Sequence, residues 1–346
     1  MKLIVQIPCY NESRTLPLVI ASIPRRIPGL DRVEVLVVDD GSTDGTPDLA
    51  RALGVDHVVR HVGNKGLAQA FRTGIDACLR LGADLIVNTD GDNQYPQHEI
   101  PRLIAPILEG RAEMVVADRQ TARIAHFSPT KKALQALGSW AVRRVSRTEV
   151  PDAPSGFRAY SREAALRLNV VTPYSYTLET LIQAGARRTA IAYVPVSVNP
   201  QTRPSRLFGS TLNYVKHQLA TIVRTYAMYE PLRVFTLVGL AIILAGLVLM
   251  LRFLYFFALG YPGLVQSLLV GVGCVIVGFQ VMLNGLLADL IAANRRLLEE
   301  TLYRLRRAEV GADLEAEPDA LASDVNAAAE LESENLESEV AHARRP

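Results

Sequence analysis

The N-terminal third of the chain alternates short apolar runs rich in β-branched residues with longer segments whose apolar positions recur every three to four residues. Residues 3–7, 33–38, 57–62, 85–88 and 114–117 have the length and composition of buried strands. Between them, Leu67, Ala70, Phe71, Gly74, Ile75, Cys78 and Leu79 share one face of a helix over 67–81, and 100–108 and 131–145 carry similar faces. This alternation predicts an α/β fold, a mostly parallel sheet flanked by helices, with ligands gathered where strands end. Polar clusters occur at those places: Pro8-Cys9-Tyr10-Asn11-Glu12 after the first run, Asp39-Asp40-Gly41-Ser42-Thr43-Asp44-Gly45 after the second, and Asp90-Gly91-Asp92-Asn93-Gln94 after the fourth.

The last third has another pattern. Residues 234–251 carry no charge, the apolar run resumes after Arg252 over 253–259, and a second uncharged stretch covers 264–288. Each is long enough to cross a hydrocarbon core as a helix, the conformation that satisfies its own backbone there. Gly260-Tyr261-Pro262-Gly263 leaves room for a turn only, so the expectation is two transmembrane helices, 233–259 and 264–288, forming a hairpin. Arg203, Arg206, Lys216, Arg224 and Arg233 precede the first span, and Arg295, Arg296, Arg304, Arg306 and Arg307 follow the second. The positive-inside tendency then assigns the N-terminal domain and both termini of this cell-membrane protein to the cytoplasm. Mixed apolar and basic positions over 207–232 predict an amphipathic juxtamembrane helix on the headgroups, and 289–308 predicts a basic cytoplasmic helix. Arg252 lies near the far end of the first span, where it can snorkel as an anchor. Gly239, Gly246, Gly271, Gly273 and Gly278 permit close helix packing, which is compatible with a homo-oligomer.

Charge sharpens the division. The net +2 conceals 35 basic and 24 acidic residues up to Ala308, against 11 acidic and two basic residues over 309–346. That Ala- and Glu-rich segment, without aromatic residues, is expected to be a disordered acidic tail. An apolar content of 49% excludes a mostly disordered chain, and Cys9, Cys78 and Cys274 are too few and scattered for a disulfide framework or a Cys-rich zinc site.

Asp90 and Asp92, one residue apart after a buried strand, can present oxygens to one hard cation, with Gln94 adding a neutral oxygen. Mg²⁺ or Mn²⁺, leaving its other positions to water and phosphate, suits such a pair. A calcium loop does not fit, because its required sixth-position Gly is Tyr95 and its twelfth-position Glu is Pro101. Asp39 and Asp40, followed by Gly41-Ser42, suit hydrogen bonding to a base or ribose, while Thr43 or Asp44 can cap the next helix. Neither the dinucleotide nor the P-loop phosphate cradle is present, so phosphate must be held by a metal and by Arg or Lys. The histidines have no ligand-like spacing.

Taken in order, Pro8/Asn11/Glu12, Asp39 to Asp44, Asn64-Lys65-Gly66, Asp90 to Gln94, and Asp152 with Ser155-Gly156-Phe157-Arg158 resemble family 2 glycosyltransferases of the GT-A fold. Within them the chain is similar to the polyprenyl-phosphate glycosyltransferases typified by dolichyl-phosphate mannose synthase, over residues 1–206 as the catalytic domain. The resemblance implies that Pro8, Asn11, Glu12, Asp39, Asp40 and Lys65 line the nucleotide-sugar pocket, and that Asp90, Asp92 and Gln94 hold the metal. It further implies that Asp92, Arg119, Arg203 and Arg206 serve catalysis, the arginines near donor or lipid phosphates; Ala117-Asp118-Arg119 stands where the family often has Gly-Ser-Arg. The implied reaction is inverting transfer of a hexose from GDP-mannose, UDP-glucose or UDP-N-acetylglucosamine to undecaprenyl or dolichyl phosphate. Glu179 is expected to be structural or substrate-orienting, and no nucleic-acid partner is expected. A processive polysaccharide synthase would carry Gln-x-x-Arg-Trp, whereas Trp140, the single tryptophan, follows Gly138-Ser139. The alternative from another class is a non-catalytic, membrane-tethered nucleotide-sugar-binding scaffold that uses the tail as an interaction arm.

Overall fold

A computed structural model of the protein describes residues 1–120, 138–140, 142–144, 146, 148–171, 176–200, 226, 230–261 and 263–315. The expectations placed on Arg203, Arg206, most of 207–232 and residues 316–346 lie outside them. The chain divides into two compact units, residues 1–222 with 302–346, and residues 223–301.

The first unit is built on β1 (Lys2–Cys9), β2 (Arg32–Asp39), β3 (His57–Arg60), β4 (Leu85–Asn88), β5 (Met114–Asp118), β6 (Arg158–Ser161) and β7 (Ile191–Pro195). They form one sheet in the order β3-β2-β1-β4-β6-β5-β7, in which β6 alone runs antiparallel to its neighbours. Alternation along β1 feeds two cores: Ile4 packs on one side of the sheet with Leu36, Val38 and Phe71, and Leu3, Val5 and Ile7 on the other with Leu16 and Leu103. The first core is covered by α3 (Leu67–Arg80), α5 (Arg162–Leu166) and α6 (Tyr176–Arg187), and the second by α1 (Leu16–Ser22) and α4 (Ile100–Leu108). The short α2 (Thr46–Ala52) links β2 to β3. Helix α3 lies directly on the sheet because Gly74 has no side chain; a Cβ there would collide with Gln6 Oε1 and stand 3.0 Å from Val38 Cγ2. Since β2 and β4 flank β1 on opposite sides, the strand order reverses at β1, and the crevice for ligands opens beyond the carboxyl ends of β1, β2 and β4.

The five expected strands are present, with ends shifted by no more than two residues. β6 and β7 escape a hydropathy reading: β6 opens on Arg158, a charged residue that is fully buried, and β7 is a half-exposed edge strand ending in Pro195.

The second unit holds α7 (Pro231–Ala258) and most of α8 (Val265–Glu315), both long and apolar enough to cross a membrane. Their glycines meet in antiparallel register. A Cβ on Gly239 would stand 2.6 Å from the Gly278 carbonyl, and one on Gly246 would stand 2.6 Å from that of Gly271. A Cβ on Gly285 would stand 2.6 Å from the Phe235 side chain, whereas one on Gly273 would meet nothing within 4 Å. The seven-residue spacing is therefore spent inside the hairpin, where small residues let the two backbones approach. Leu237, Val248, Leu251, Leu269 and Ile276 point outward, as lipid-facing residues do.

The apolar span over 264–288 and the basic helix expected over 289–308 form one helix, α8, which continues unbroken to Glu315, so the segment expected to be a tail from 309 begins as helix. From Leu302 onward it belongs to the first unit. There Tyr303 donates a hydrogen bond to Glu163 Oε1 (2.7 Å), Arg306 donates to the Leu168 carbonyl (2.6 Å) and approaches Asp76 (3.5 Å), and Val310 is buried in the core beside α3. Charge averaged over the segment hid this apolar contact.

Candidate functional site

The loop after β1 is tied by hydrogen bonds to the segment after β2. The backbone N–H groups of Asn11, Glu12 and Ser13 donate to Ser42 Oγ (2.8 Å), Thr46 Oγ1 (3.0 Å) and Asp44 Oδ2 (3.0 Å), and Thr43 N–H donates to Asn11 Oδ1 (2.8 Å). The Ser/Thr/Asp cluster after β2 thus supplies acceptors that order its neighbour, and Asn11 adopts φ +56° to meet them. Asp44 also caps α2 by accepting from Thr46 N–H (3.1 Å). Burial would raise its carboxyl, but the bonds from Thr46 and Ser13 prevail and hold it at about 2.

The adjacent carboxylates at the end of β2 have different occupations. Asp40 accepts Lys65 N–H on Oδ1 and Gly66 N–H on Oδ2, both at 2.8 Å, and its Oδ1 is also 2.8 Å from His61 Nδ1. It caps the start of α3, and these bonds outweigh burial to keep its carboxyl below the ordinary range. Lys65 is exposed and meets Asp40 through its backbone. Asp39 is fully buried, has Arg60 Nε at 3.3 Å, and is pushed upward by burial. Pro8 is a buried strand residue paired with Val38, and Glu12 accepts from Thr15 Oγ1 (3.0 Å).

Asp90 and Asp92 lie in the segment just beyond the carboxyl end of β4. Burial and then the charge of Asp92 push the Asp90 carboxyl up to about 7, against the pull of Arg119. Asp92 Oδ1 accepts Gln94 N–H (3.0 Å), and the Gln94 carbonyl accepts Asn199 N–H (3.0 Å). Among the described residues no three His, Cys, Asp or Glu side chains gather into a cation cage. Two carboxylates close enough for the charge of one to raise the other fit a small hard cation that takes its remaining ligands from water and substrate phosphates. Cys9, near these groups, has its thiol driven well up by burial and by Glu12, Asp39 and Asp90, which removes thiolate chemistry from the site.

Arg119 is held by Asp152 in a buried two-pronged pair, Nε to Oδ2 at 2.6 Å and Nη2 to Oδ1 at 2.9 Å. Burial pulls the guanidinium down, and Tyr95, Asp152 and Asp90 more than restore it, so its charge is fixed. Arg158, also buried, donates to the carbonyls of Ser155 and Ala153 (2.8 Å each) and to Thr180 Oγ1 (2.6 Å). Glu179 is buried on α6 and accepts Val171 N–H (3.1 Å), a structural task. Asn88, Tyr95 and Tyr176, whose side chains hydrogen-bond the Gly156 backbone beside Asp90, were not singled out from the sequence. A polar Asn at the end of the apolar run 85–88 was the one available signal; nothing local marks the tyrosines.

The glycosyl transferase family 2 model matches residues 4–168. Polyprenol monophosphomannose synthase of Mycolicibacterium smegmatis is 26% identical over 229 residues, 63% of this chain and 85% of that protein. An uncharacterized glycosyltransferase of Mycobacterium bovis is 32% identical over 209 residues, 60% of this chain and 89% of its own. Glycosyltransferase AglJ of Haloferax volcanii is 28% identical over 319 residues, 87% of this chain and 96% of its own. Among solved structures, glucosyl-3-phosphoglycerate synthase from Mycobacterium tuberculosis, in complex with Mn²⁺, UDP-glucose and phosphoglyceric acid, is 28% identical with a TM-score of 0.51, over 64% of this chain and 79% of its own. With the family model matched and a relative 32% identical over 89% of its own length, the chain belongs to the family 2 glycosyltransferases.

Proposed function

We propose that the protein is a membrane-anchored, inverting glycosyltransferase that moves a hexose from a nucleotide sugar to a polyprenyl phosphate at the cytoplasmic face of a membrane. The observation that carries this reading is the union, in one chain, of acidic residues following β4 and ending β2 (Asp90, Asp92 and Asp39) with two helices apolar enough to span a bilayer. The relative named as a polyprenol monophosphomannose synthase supports the acceptor class, and the UDP-glucose complex supports a nucleotide-sugar donor.

In this reading Asp39 is the acceptor for the base or ribose, on a loop whose shape Asn11, Glu12 and Asp40 maintain. Asp90, Asp92 and Gln94 would hold Mg²⁺ or Mn²⁺. A bound cation supplies neutralisation of the charge that develops on the departing nucleoside diphosphate. Arg119 keeps a second fixed positive charge beside Asp90, and Arg203 and Arg206 are assigned to the acceptor and donor phosphates. The second pKa of a phosphate monoester is about 6, so the lipid phosphate is largely dianionic at cytoplasmic pH and can attack the anomeric carbon without a side-chain base. Glu179, occupied with the Val171 backbone, is consistent with that.

The test uses the purified full chain in detergent with Mg²⁺ or Mn²⁺, polyprenyl phosphate, and GDP-mannose, UDP-glucose or UDP-N-acetylglucosamine in turn. Glycolipid should form with one donor; nucleotide-sugar binding without glycolipid from any of them overturns the reading in favour of a scaffold. Asp92→Ala should abolish metal-dependent turnover, and normal turnover would refute the metal assignment. A Tyr261→Cys variant should be labelled from outside intact cells, while labelling only after lysis would reverse the orientation.

A further inference from the structure

The backbone of Gly156 is gripped on both sides by buried side chains from separate elements. Its N–H donates to Tyr95 Oη (3.1 Å), and its carbonyl accepts from Asn88 Nδ2 (2.8 Å) and from Tyr176 Oη (3.4 Å). Asn88 Nδ2 also donates to Tyr176 Oη (2.9 Å), and Gln6 Nε2 donates to Asn88 Oδ1 (2.9 Å), which fixes the amide orientation. Both tyrosines are immobilised by ring contacts, Tyr176 stacked on Phe71 with centroids 3.9 Å apart and Tyr95 on Phe157 at 5.2 Å. What Gly156 turns outward is the missing side chain: a Cβ there would stand 2.9 and 3.0 Å from the two Asp90 oxygens and 2.9 Å from Tyr176 Oη. The Asp90 carboxylate thus rests against a strip of backbone whose position is set by β4, the loop after it and α6.

We propose that Asn88, Tyr95 and Tyr176 are positioning residues that clamp Gly156 and thereby fix the Asp90 carboxylate for cation binding. The proposal rests on Asp90 being a cation ligand. Groups that orient a metal ligand from behind commonly change affinity about tenfold or more when removed. Here the effect would pass through Gly156, because losing the Tyr95 hydroxyl removes the acceptor of its buried N–H, and losing the Tyr176 hydroxyl leaves its carbonyl held by Asn88 alone, freeing the backbone to shift against Asp90.

The experiment is a Mn²⁺ titration of the full chain in detergent with UDP present, followed by the electron paramagnetic resonance of free Mn²⁺. Tyr95→Phe, Tyr176→Phe, the double variant and Asp90→Asn are compared, with metal-free UDP affinity and the unfolding temperature recorded for each. The phenylalanine variants keep the ring contacts. Each should weaken Mn²⁺ binding about tenfold, leave metal-free UDP affinity unchanged, and preserve a cooperative unfolding transition; Asp90→Asn should lose Mn²⁺ binding. If Asp90→Asn binds Mn²⁺ normally, the ligand reading itself is wrong. If Asp90→Asn fails to bind while the double variant binds as tightly as the unaltered protein, the clamp alone is overturned. Equal losses of Mn²⁺ and metal-free UDP binding would overturn it too, by showing general loosening.

Discussion

Replacing Asp152 by alanine should expose how the site stores its positive charge. Arg119 and Asp152 are 8% and 1% exposed, joined by two side-chain hydrogen bonds of 2.6 and 2.9 Å, and Asp152 Oδ2 also accepts the Arg119 N–H at 3.3 Å. Removing one member of such a pair leaves an uncompensated buried charge and costs about 3–5 kcal/mol. For a unit of this size each kcal/mol moves the unfolding temperature by about 2–4 °C, so Asp152→Ala should lower it by roughly 10 °C. Substituting both residues by leucine removes the stranded charge together with its partner, and buried pairs exchanged for apolar residues are often no less stable. The double variant should therefore unfold at a higher temperature than Asp152→Ala, with a coupling of at least about 2 kcal/mol. Glycosyl transfer should not recover with it, because the positive charge beside Asp90 is gone. Thermal unfolding in detergent and a single-donor transfer assay measure the two effects separately. An Asp152→Ala protein that unfolds within about 2 °C of the unaltered one, or a double variant no more stable than either single, would refute this account of the pair.

Glu34 has Lys2 Nζ at 2.8 Å, Arg32 Nε at 2.6 Å and His57 Nε2 at 2.8 Å, and although burial would raise it, the bonds and charges of His57 and Lys2 hold it at about 2 against an ordinary 4.5. A depressed carboxyl stabilises the fold fully above the unfolded value. Up to about 3 kcal/mol should therefore fade as pH falls from 4.5 toward 2, and Glu34→Gln should flatten that slope in acid-unfolding curves. In the hairpin, Gly278→Ala places a methyl 2.7 Å from the Gly239 carbonyl and should cost about 1–3 kcal/mol of thermal stability in detergent, whereas Gly273→Ala should change little. Val310→Asp should destabilise the catalytic unit by about 2 kcal/mol or more, while Leu305→Asp, on an exposed position of the same helix, should stay within about 0.5 kcal/mol; equal effects would show that α8 does not dock through Val310.

Local signals account for the parts of this protein that were legible in its sequence. Buried parallel strands leave unbroken apolar runs, so the central strands and the polar clusters at their ends could be placed from hydropathy alone. β6 could not, because the property that identifies it, a buried Arg158 satisfied by Ser155, Ala153 and Thr180, is created by residues up to 22 positions away. The hairpin glycines were visible as small residues at seven-residue intervals. Their partners were not, because one stripe serves equally for packing within a chain or between chains until the register Gly239–Gly278 and Gly246–Gly271 is fixed by the turn.

The acidic pair after β2 shows most directly where sequence reasoning stops. Asp39 and Asp40 invite a single role because they are adjacent, yet side chains at successive strand positions point to opposite faces. One face of β2 looks toward α3 and the other toward the loops after β1. Asp40 falls on the side where the chain returns 25 residues later, and the Lys65 and Gly66 amides occupy both its oxygens. Among the described residues Asp39 holds the long 3.3 Å contacts of Ser42 and Arg60, which fits the role of ligand acceptor proposed for it. Charge-removing substitutions should therefore separate the two: Asp40→Asn should act on the stability of α3 and its loop, and Asp39→Asn on nucleotide affinity. Differential scanning calorimetry and UDP or GDP titration on the same two proteins distinguish these outcomes, and identical profiles would mean that adjacency, not the alternation of the strand, governs the pair.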